Sequence, residues 1–163
     1  MKTLIFLACT LFGLISANAQ QKNLQFEVGP TIAFPTGALA LTNSLGLGAE
    51  GIVLYEIPNN LKLFGQTGVD FFLGKTFFGE KTSTAIHIPV IGGLRYEKNG
   101  LSLGFGIGFG YYNFGQGETE SGFAFSPQVG YAFDKYEILA KYSSTTTSGL
   151  NANYVSIGGF YRF

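Results

Sequence analysis

The sequence predicts an all-β fold: an eight-stranded antiparallel up-and-down transmembrane β-barrel that follows a cleavable signal peptide. Three observations carry this reading. From Asn23 to Phe163, side chains alternate with period 2 in eight segments of about ten residues, the length of a tilted strand that crosses a bilayer. The connections alternate between tight turns and longer polar loops. One face of every strand is free of charge, although charges occur on the other.

The totals point the same way. The chain has 163 residues, enough for one domain. Charged residues make up 12% of it, about half the roughly 25% usual in soluble domains, so its outside is not wholly in water. Lys2, the apolar run Leu4 to Ile15 and the small-residue site Ala17-Asn18-Ala19 form the three parts of a secretory signal. Cleavage after Ala19 divides the chain into a signal peptide, 1–19, and a barrel domain, 20–163. The apolar run is too short to span a bilayer as a helix. A lipoprotein reading of Cys9 leaves about five apolar residues before the cysteine, too few for the hydrophobic segment. Without the signal the chain has no cysteine, hence no disulfide, and a net charge of −1 once Lys2 is removed from the balanced total. That balance indicates no nucleic-acid partner.

In the first strand Leu24, Phe26, Val28, Ile32 and Phe34 oppose Gln25, Glu27, Gly29, Thr31 and Ala33. The second sets Leu45, Leu47, Ala49, Val53 and Tyr55 against Gly46, Gly48, Glu50 and Glu56. The third sets Leu61, Leu63, Thr67, Val69, Phe71 and Leu73 against Lys62, Gln66, Gly68 and Asp70. The fourth sets Ile86, Ile88, Val90, Leu94 and Tyr96 against His87, Pro89, Gly93 and Arg95. The fifth alternates most cleanly, Leu101 to Tyr111 on odd positions against Ser102 and Gly104 to Gly110 on even ones. The sixth sets Phe123, Phe125, Val129, Tyr131 and Phe133 against Ala124, Ser126, Gln128 and Gly130. The seventh sets Tyr136, Ile138, Ala140 and Tyr142 against Glu137, Leu139, Lys141 and Ser143. The last sets Val155, Ile157, Gly159, Tyr161 and Phe163 against Tyr154, Ser156, Gly158, Phe160 and Arg162, and a chain ending on a strand needs it to close against the first.

Pro58-Asn59-Asn60, Glu97 to Gly100 and Asp134-Lys135 read as turns; Pro35 to Ser44, Lys75 to Thr84, Asn113 to Ser121 and Ser144 to Asn151 read as loops. The three-residue turn at Pro58 sets Glu56 opposite Lys62. The charged face is rich in Gly, Ala and Ser, as a narrow eight-stranded lumen requires. A soluble lipocalin-like barrel, the alternative all-β reading, would not spend a water-facing strand on Gly and Ser. Tyr55, Tyr96, Tyr131, Phe133, Tyr136, Tyr161 and Phe163 gather on the apolar face near the turns, as an interfacial aromatic girdle does.

The ending Tyr161-Arg162-Phe163 resembles the closing strand of Gram-negative outer-membrane barrels. Over residues 23–163 the pattern resembles the small OmpA/OmpX-like outer-membrane β-barrel family. The resemblance implies residence in the bacterial outer membrane, contact with its lipid and insertion as a monomer by the barrel assembly machinery. It also implies that Tyr161 and Phe163 form the assembly signal, that both termini lie on the periplasmic side, and that roles range from envelope integrity to adhesion through the longer loops.

The lumen face supplies the candidate site, a polar network of Glu27, Glu50, Glu56, Lys62, Asp70, Arg95, Gln128, Glu137, Lys141 and Arg162. Glu50 and Lys141 both fall near mid-depth, and charges left alone there cost several kcal/mol, so the two are expected to pair. OmpA-like barrels are similar in placing an acid from the second strand against a base from the seventh. Asp70 and Gln128 are the alternative partners of Lys141. The lumen can be a packed plug or a small channel, and eight strands enclose room for side chains only, which favours the plug. Gly104 to Gly110 lacks the spacing of a phosphate loop, and no helix follows it. One His and no mature Cys leave no metal or cofactor site. Lys141 to Ser144 with Gly149 to Asn151 faintly resembles the His-x-Ser region of lipid A deacylase barrels, but Tyr or Ser stands where the histidine belongs. His87, with Ser83 in the neighbouring loop, reads as a solvated polar residue at the loop-side mouth, and no enzyme is expected.

Overall fold

The computed structural model describes residues 23–77, 79–115, 118–147 and 151–163; the expected signal segment lies outside them. The strands are β1 (Leu24–Gly37), β2 (Asn43–Ile57), β3 (Leu61–Gly74), β4 (Thr76–Phe77), β5 (Glu80–Lys81), β6 (Ala85–Lys98), β7 (Leu101–Gly115), β8 (Glu118–Phe133), β9 (Tyr136–Thr146) and β10 (Asn151–Arg162). Eight of them close into one antiparallel ring in the order β1-β10-β9-β8-β7-β6-β3-β2, while β4 and β5 form a small hairpin within one loop. The ring closes where β10 pairs with β1, from Glu27 opposite Arg162 to Gly37 opposite Ala152. Closure removes both sheet edges, the one way a sheet can satisfy its backbone in hydrocarbon.

The short turns follow from their residues. Asn99 and Gly100 both have positive φ, 52° and 82°, the conformation a two-residue hairpin of the right twist demands. The turn at Pro58 spans three residues, with Ile57 opposite Leu61 and Glu56 opposite Lys62. On the other rim the strands run further than the alternation suggested. They reach 11 to 16 residues, and much of the expected loop Asn113 to Ser121 is ladder, with Asn113 opposite Thr119 and Tyr112 opposite Glu120. Polar side chains there look like loop in sequence, but strand pairing continues once the backbone ladder is in place. The first loop contracts to Ala38 and a helical turn, Leu39–Thr42, whose Leu39 is buried in the barrel mouth.

The distribution of side chains is that of a soluble protein turned inside out. Phe109, Val90 and Phe105 are 68%, 61% and 55% exposed on the outer face, whereas Arg95 and Asp70, inside, are 0% exposed. A continuous exposed apolar band of this extent is not tolerated in water, and here it is the lipid-facing surface. This excludes the lipocalin-like alternative, whose apolar face would be the inner one.

The lumen also holds apolar side chains, of which the alternation set Ala33, Ala124, Leu139, Tyr154 and Phe160 on the inner face and did not place the others there. Ile52, Leu54, Phe64, Ile91, Ala124, Leu139 and Phe160 form an apolar layer inside the ring. Ala33, Leu39, Phe72, Ala85, Tyr112, Ala152 and Tyr154 form a second at the loop side, with Phe114 packed against it. Large apolar residues point inward as well as outward because the ring must be filled to near close packing, whatever its polarity.

Candidate functional site: the polar lumen

The charged side chains converge because inward positions on non-neighbouring strands share a narrow space. At the short-turn mouth Lys62 lies 3.3 Å from Glu56 and 3.2 Å from Glu97, and it donates to Gln25 Oε1 at 2.9 Å. Next inward, Arg162 of β10 meets three carboxylates. Its terminal nitrogens donate to Glu97 at 3.1 and 3.0 Å and to Glu137 at 2.9 Å, and its Nε lies 2.6 Å from Glu27. Arg95 answers from β6: its Nη1 lies 3.0 Å from Glu137 and 3.4 Å from Glu27, and its Nη2 donates to Gln128 Oε1 at 3.1 Å. The Arg95 guanidinium also lies 5.5 Å above the Phe64 ring. Ser102 donates to the second oxygen of Glu137 at 2.7 Å. A methyl group on Gly130 would lie 2.6 Å from both of these oxygens, so this glycine makes room for the pair.

The chain of contacts continues to mid-depth. Gln128 donates to Gln66 Oε1 at 2.8 Å, Gln66 donates to Glu50 Oε2 at 2.6 Å, and Lys141 donates to Glu50 Oε1. Glu50 and Lys141 come from strands that are not neighbours in the ring. Gln128, although opposite Lys141 in the ladder, turns instead to Arg95 and Gln66.

Asp70 heads a separate group nearer the loops. It accepts from Thr31 Oγ1 at 3.0 Å and from the Tyr154 hydroxyl at 3.1 Å, and its carboxylate lies 3.5 Å from His87 Nδ1. A methyl group on Gly48 would lie 2.2 Å from Asp70 Oδ1 and 2.7 Å from Thr31 Oγ1. The reading of His87 as a solvated residue is overturned: it is 1% exposed, stacked on Tyr112 with ring centres 4.2 Å apart, and 3.2 Å from the Tyr154 hydroxyl. β3 and β7 continue past it toward the loops, and Tyr112 and Tyr154, both members of the loop-side apolar cluster, pack against it. Ser83 stands at the loop rim, its carbonyl accepting from Asn43 Nδ2 at 3.3 Å.

All ten residues named from the sequence face the lumen. The structure adds Gln25, Gln66, Glu97 and Ser102 to the main chain of contacts, and Thr31, His87 and Tyr154 around Asp70. The sequence reads Glu97 as the start of a turn, but β6 continues through it, and two residues after Arg95 it lies on the same face. Tyr154 and Thr31 gave no signal, because an uncharged polar residue on a lumen face has no evident partner until the ring is closed. Among the described residues no cluster of His, Cys, Asp and Glu could hold a metal ion.

Comparison with solved structures places the architecture. The Yersinia pestis attachment invasion locus protein Ail aligns over 88% of this chain and 100% of its own, with a TM-score of 0.63 at 18% identity. The N-terminal β-barrel domain of Pseudomonas aeruginosa OprF aligns over 85% and 97%, with a TM-score of 0.60 at 10% identity. Neisserial surface protein A aligns over 86% and 97%, with a TM-score of 0.54 at 14% identity. No protein-family model and no curated protein sequence matches the chain. The closed ring and its lipid-facing surface define the class: an eight-stranded outer-membrane β-barrel. Within that class the fold is the one shared by Ail, the OprF barrel domain and Neisserial surface protein A.

Proposed function

We propose that the protein is a monomeric structural or surface-interaction barrel of the outer membrane whose lumen is a packed polar plug and which performs no catalysis. The observation that carries this reading is the unbroken chain of contacts from Glu97 through Arg162, Glu137, Arg95, Gln128 and Gln66 to Glu50 and Lys141. It joins opposite walls of the ring at several depths, and the loop-side apolar cluster stands above it. An ion would have to break paired, dehydrated charges to pass, and each broken pair costs several kcal/mol.

The non-catalytic reading is supported by the enclosure of His87 and by its partners, Asp70, Tyr112 and Tyr154, none of which is a serine nucleophile. In the stretch compared with the deacylases, Lys141 is committed to Glu50, and Gly149 and Leu150 lie outside the described residues. A surface ligand would meet the longer loops. Ail has been crystallised in complex with the heparin analogue sucrose octasulfate. The loop segments here carry Lys75 and Lys81 against Glu80, Glu118 and Glu120, so their charge suits no polyanion. Export by the signal peptide and recognition of Tyr161 and Phe163 by the barrel assembly machinery complete the proposal.

Planar-bilayer recording tests the plug. The purified wild type is expected to show little conductance, and Lys141→Ala or Glu50→Ala to raise it. A large, steady wild-type conductance that neither substitution alters refutes the plug.

A further inference from the structure

The outer face of the closing seam carries a groove that the barrel's own packing does not explain. It has a volume of about 310 Å³ and an almost wholly apolar wall, built by Val28 and Pro30 of β1, Ile138 of β9, and Phe133, Tyr136 and Tyr161 near the short turns. Gly159 of β10 forms its floor. It faces outward opposite Ile138, and a methyl group there would find nothing within 4 Å. The neighbouring outward positions on β10 are Ile157 and Tyr161, so a single missing side chain opens the trough. Tyr136 packs edge-on against Tyr161 with ring centres 5.5 Å apart and lies 6.1 Å from Phe133, which gives the short-turn end of the groove a firm aromatic rim. Just beyond that rim the β8–β9 turn presents exposed Asp134 and Lys135, and the turn is fixed to the seam because Arg162 N donates to Lys135 O at 2.8 Å.

We infer that this groove seats one acyl chain of a phospholipid from the short-turn leaflet, with the headgroup phosphate at Lys135. The occupant follows from continuity: the groove is part of the lipid-facing surface, so the molecules that meet it are hydrocarbon chains. In a bilayer no hydrophobic force distinguishes one apolar surface from another, and what selects a partner is close packing against small residues. A concave apolar floor at Gly159 supplies that packing, while the tyrosine pair and the charged turn sit at the depth of an interface. Phospholipid, amphipathic along the same direction, matches apolar floor, aromatic rim and cation in order.

The test uses the full barrel in nanodiscs of phosphatidylethanolamine that contain a trace of the same lipid with a diazirine in its acyl chain. After photolysis the labelled peptides are mapped by mass spectrometry. Labelling at residues 28–30, 136–138 and 159–161 is expected to exceed that around Leu101 and Leu103, outward residues on β7 with no outward glycine beside them, by about threefold or more, a packing preference well within the range of van der Waals selection in membranes. Gly159→Leu, which fills the floor, is expected to bring it down to the surrounding level, and Lys135→Glu to lower it in part. Uniform labelling of the wild type overturns the inference, as does a cross-link between two barrels at Gly159, which would make a second copy the occupant. If Gly159→Leu does not assemble, the wild-type distribution alone decides. Unchanged labelling in Lys135→Glu overturns the headgroup contact.

Discussion

Arg162, the penultimate residue, holds Glu97 in a two-pronged ion pair across the barrel, with nitrogen-to-oxygen distances of 3.1 and 3.0 Å. The same guanidinium reaches Glu137 and Glu27. It therefore ties the closing strand to β1, β6 and β9 at once. A planar fork with several donors makes this possible, and lysine could not replace it.

Arg162→Met should consequently weaken the barrel far more than a surface charge deletion. Three carboxylates would lose a shared cation in a space where Arg95 alone remains to balance Glu27 and Glu137. Removing one partner of a buried pair costs about 3–5 kcal/mol. Reversible urea unfolding in lipid vesicles measures the difference, and Arg162→Lys is expected to recover only part of it.

Deleting Tyr161 to Phe163 should abolish accumulation of the folded barrel. The closing ladder loses the pairs Val28 to Tyr161 and Glu27 to Arg162, and the bond from Phe163 N to Phe26 O at 2.9 Å disappears. Heat-modifiable mobility on gels and surface labelling report assembly. Normal levels of folded, surface-exposed protein would count against both the closure argument and the assembly-signal proposal.

Charge reversal separates the Glu50–Lys141 pair from simple side-chain volume. Glu50→Lys or Lys141→Glu alone sets like charges together at mid-lumen, and each should destabilise the barrel and raise conductance. The double reversal should restore much of both. Failure of the double variant to recover would mean that Gln66, which donates to Glu50 but cannot serve a lysine ammonium with the same atom, matters more than the ion pair.

Gly48→Val should be poorly tolerated even though valine suits a strand. Its Cβ would fall 2.2 Å from Asp70 Oδ1, so the Asp70–Thr31 contact must break or the strand must shift. Overpacking of this kind costs about 1–3 kcal/mol, and a carboxylate stripped of a partner adds to it. Gly65→Val, at an outward site with nothing within 4 Å, is the matched control and should be near neutral.

The enclosure of His87 can be read chemically. In the folded barrel diethyl pyrocarbonate should leave it largely unmodified, because the ring is 1% exposed and lies between Tyr112 and Tyr154. In urea it should react fully. Rapid modification of the native protein would return His87 to the solvated mouth position that its sequence context suggested.

What the sequence determined alone is what depends on period 2 and on turn chemistry. The apolar outer face from Leu24 to Phe163, the eight strands, and the three-residue turn that sets Glu56 opposite Lys62 follow from local alternation, because side chains on a strand have only two directions. Glu50 and Lys141 could be brought together from sequence for the same reason: both point inward at similar depth, and a narrow ring leaves them little choice. Only the tertiary structure decided how the interior is shared out. Whether Gln128 serves Lys141 or Arg95, whether His87 meets water or Asp70, and how Phe64, Phe160 and Leu139 pack between the charges depend on distances across the lumen. Those distances are set by the stagger of eight strands and by which glycines let backbones close in. No residue carries that information in its immediate neighbours, because it exists only once β10 has closed on β1.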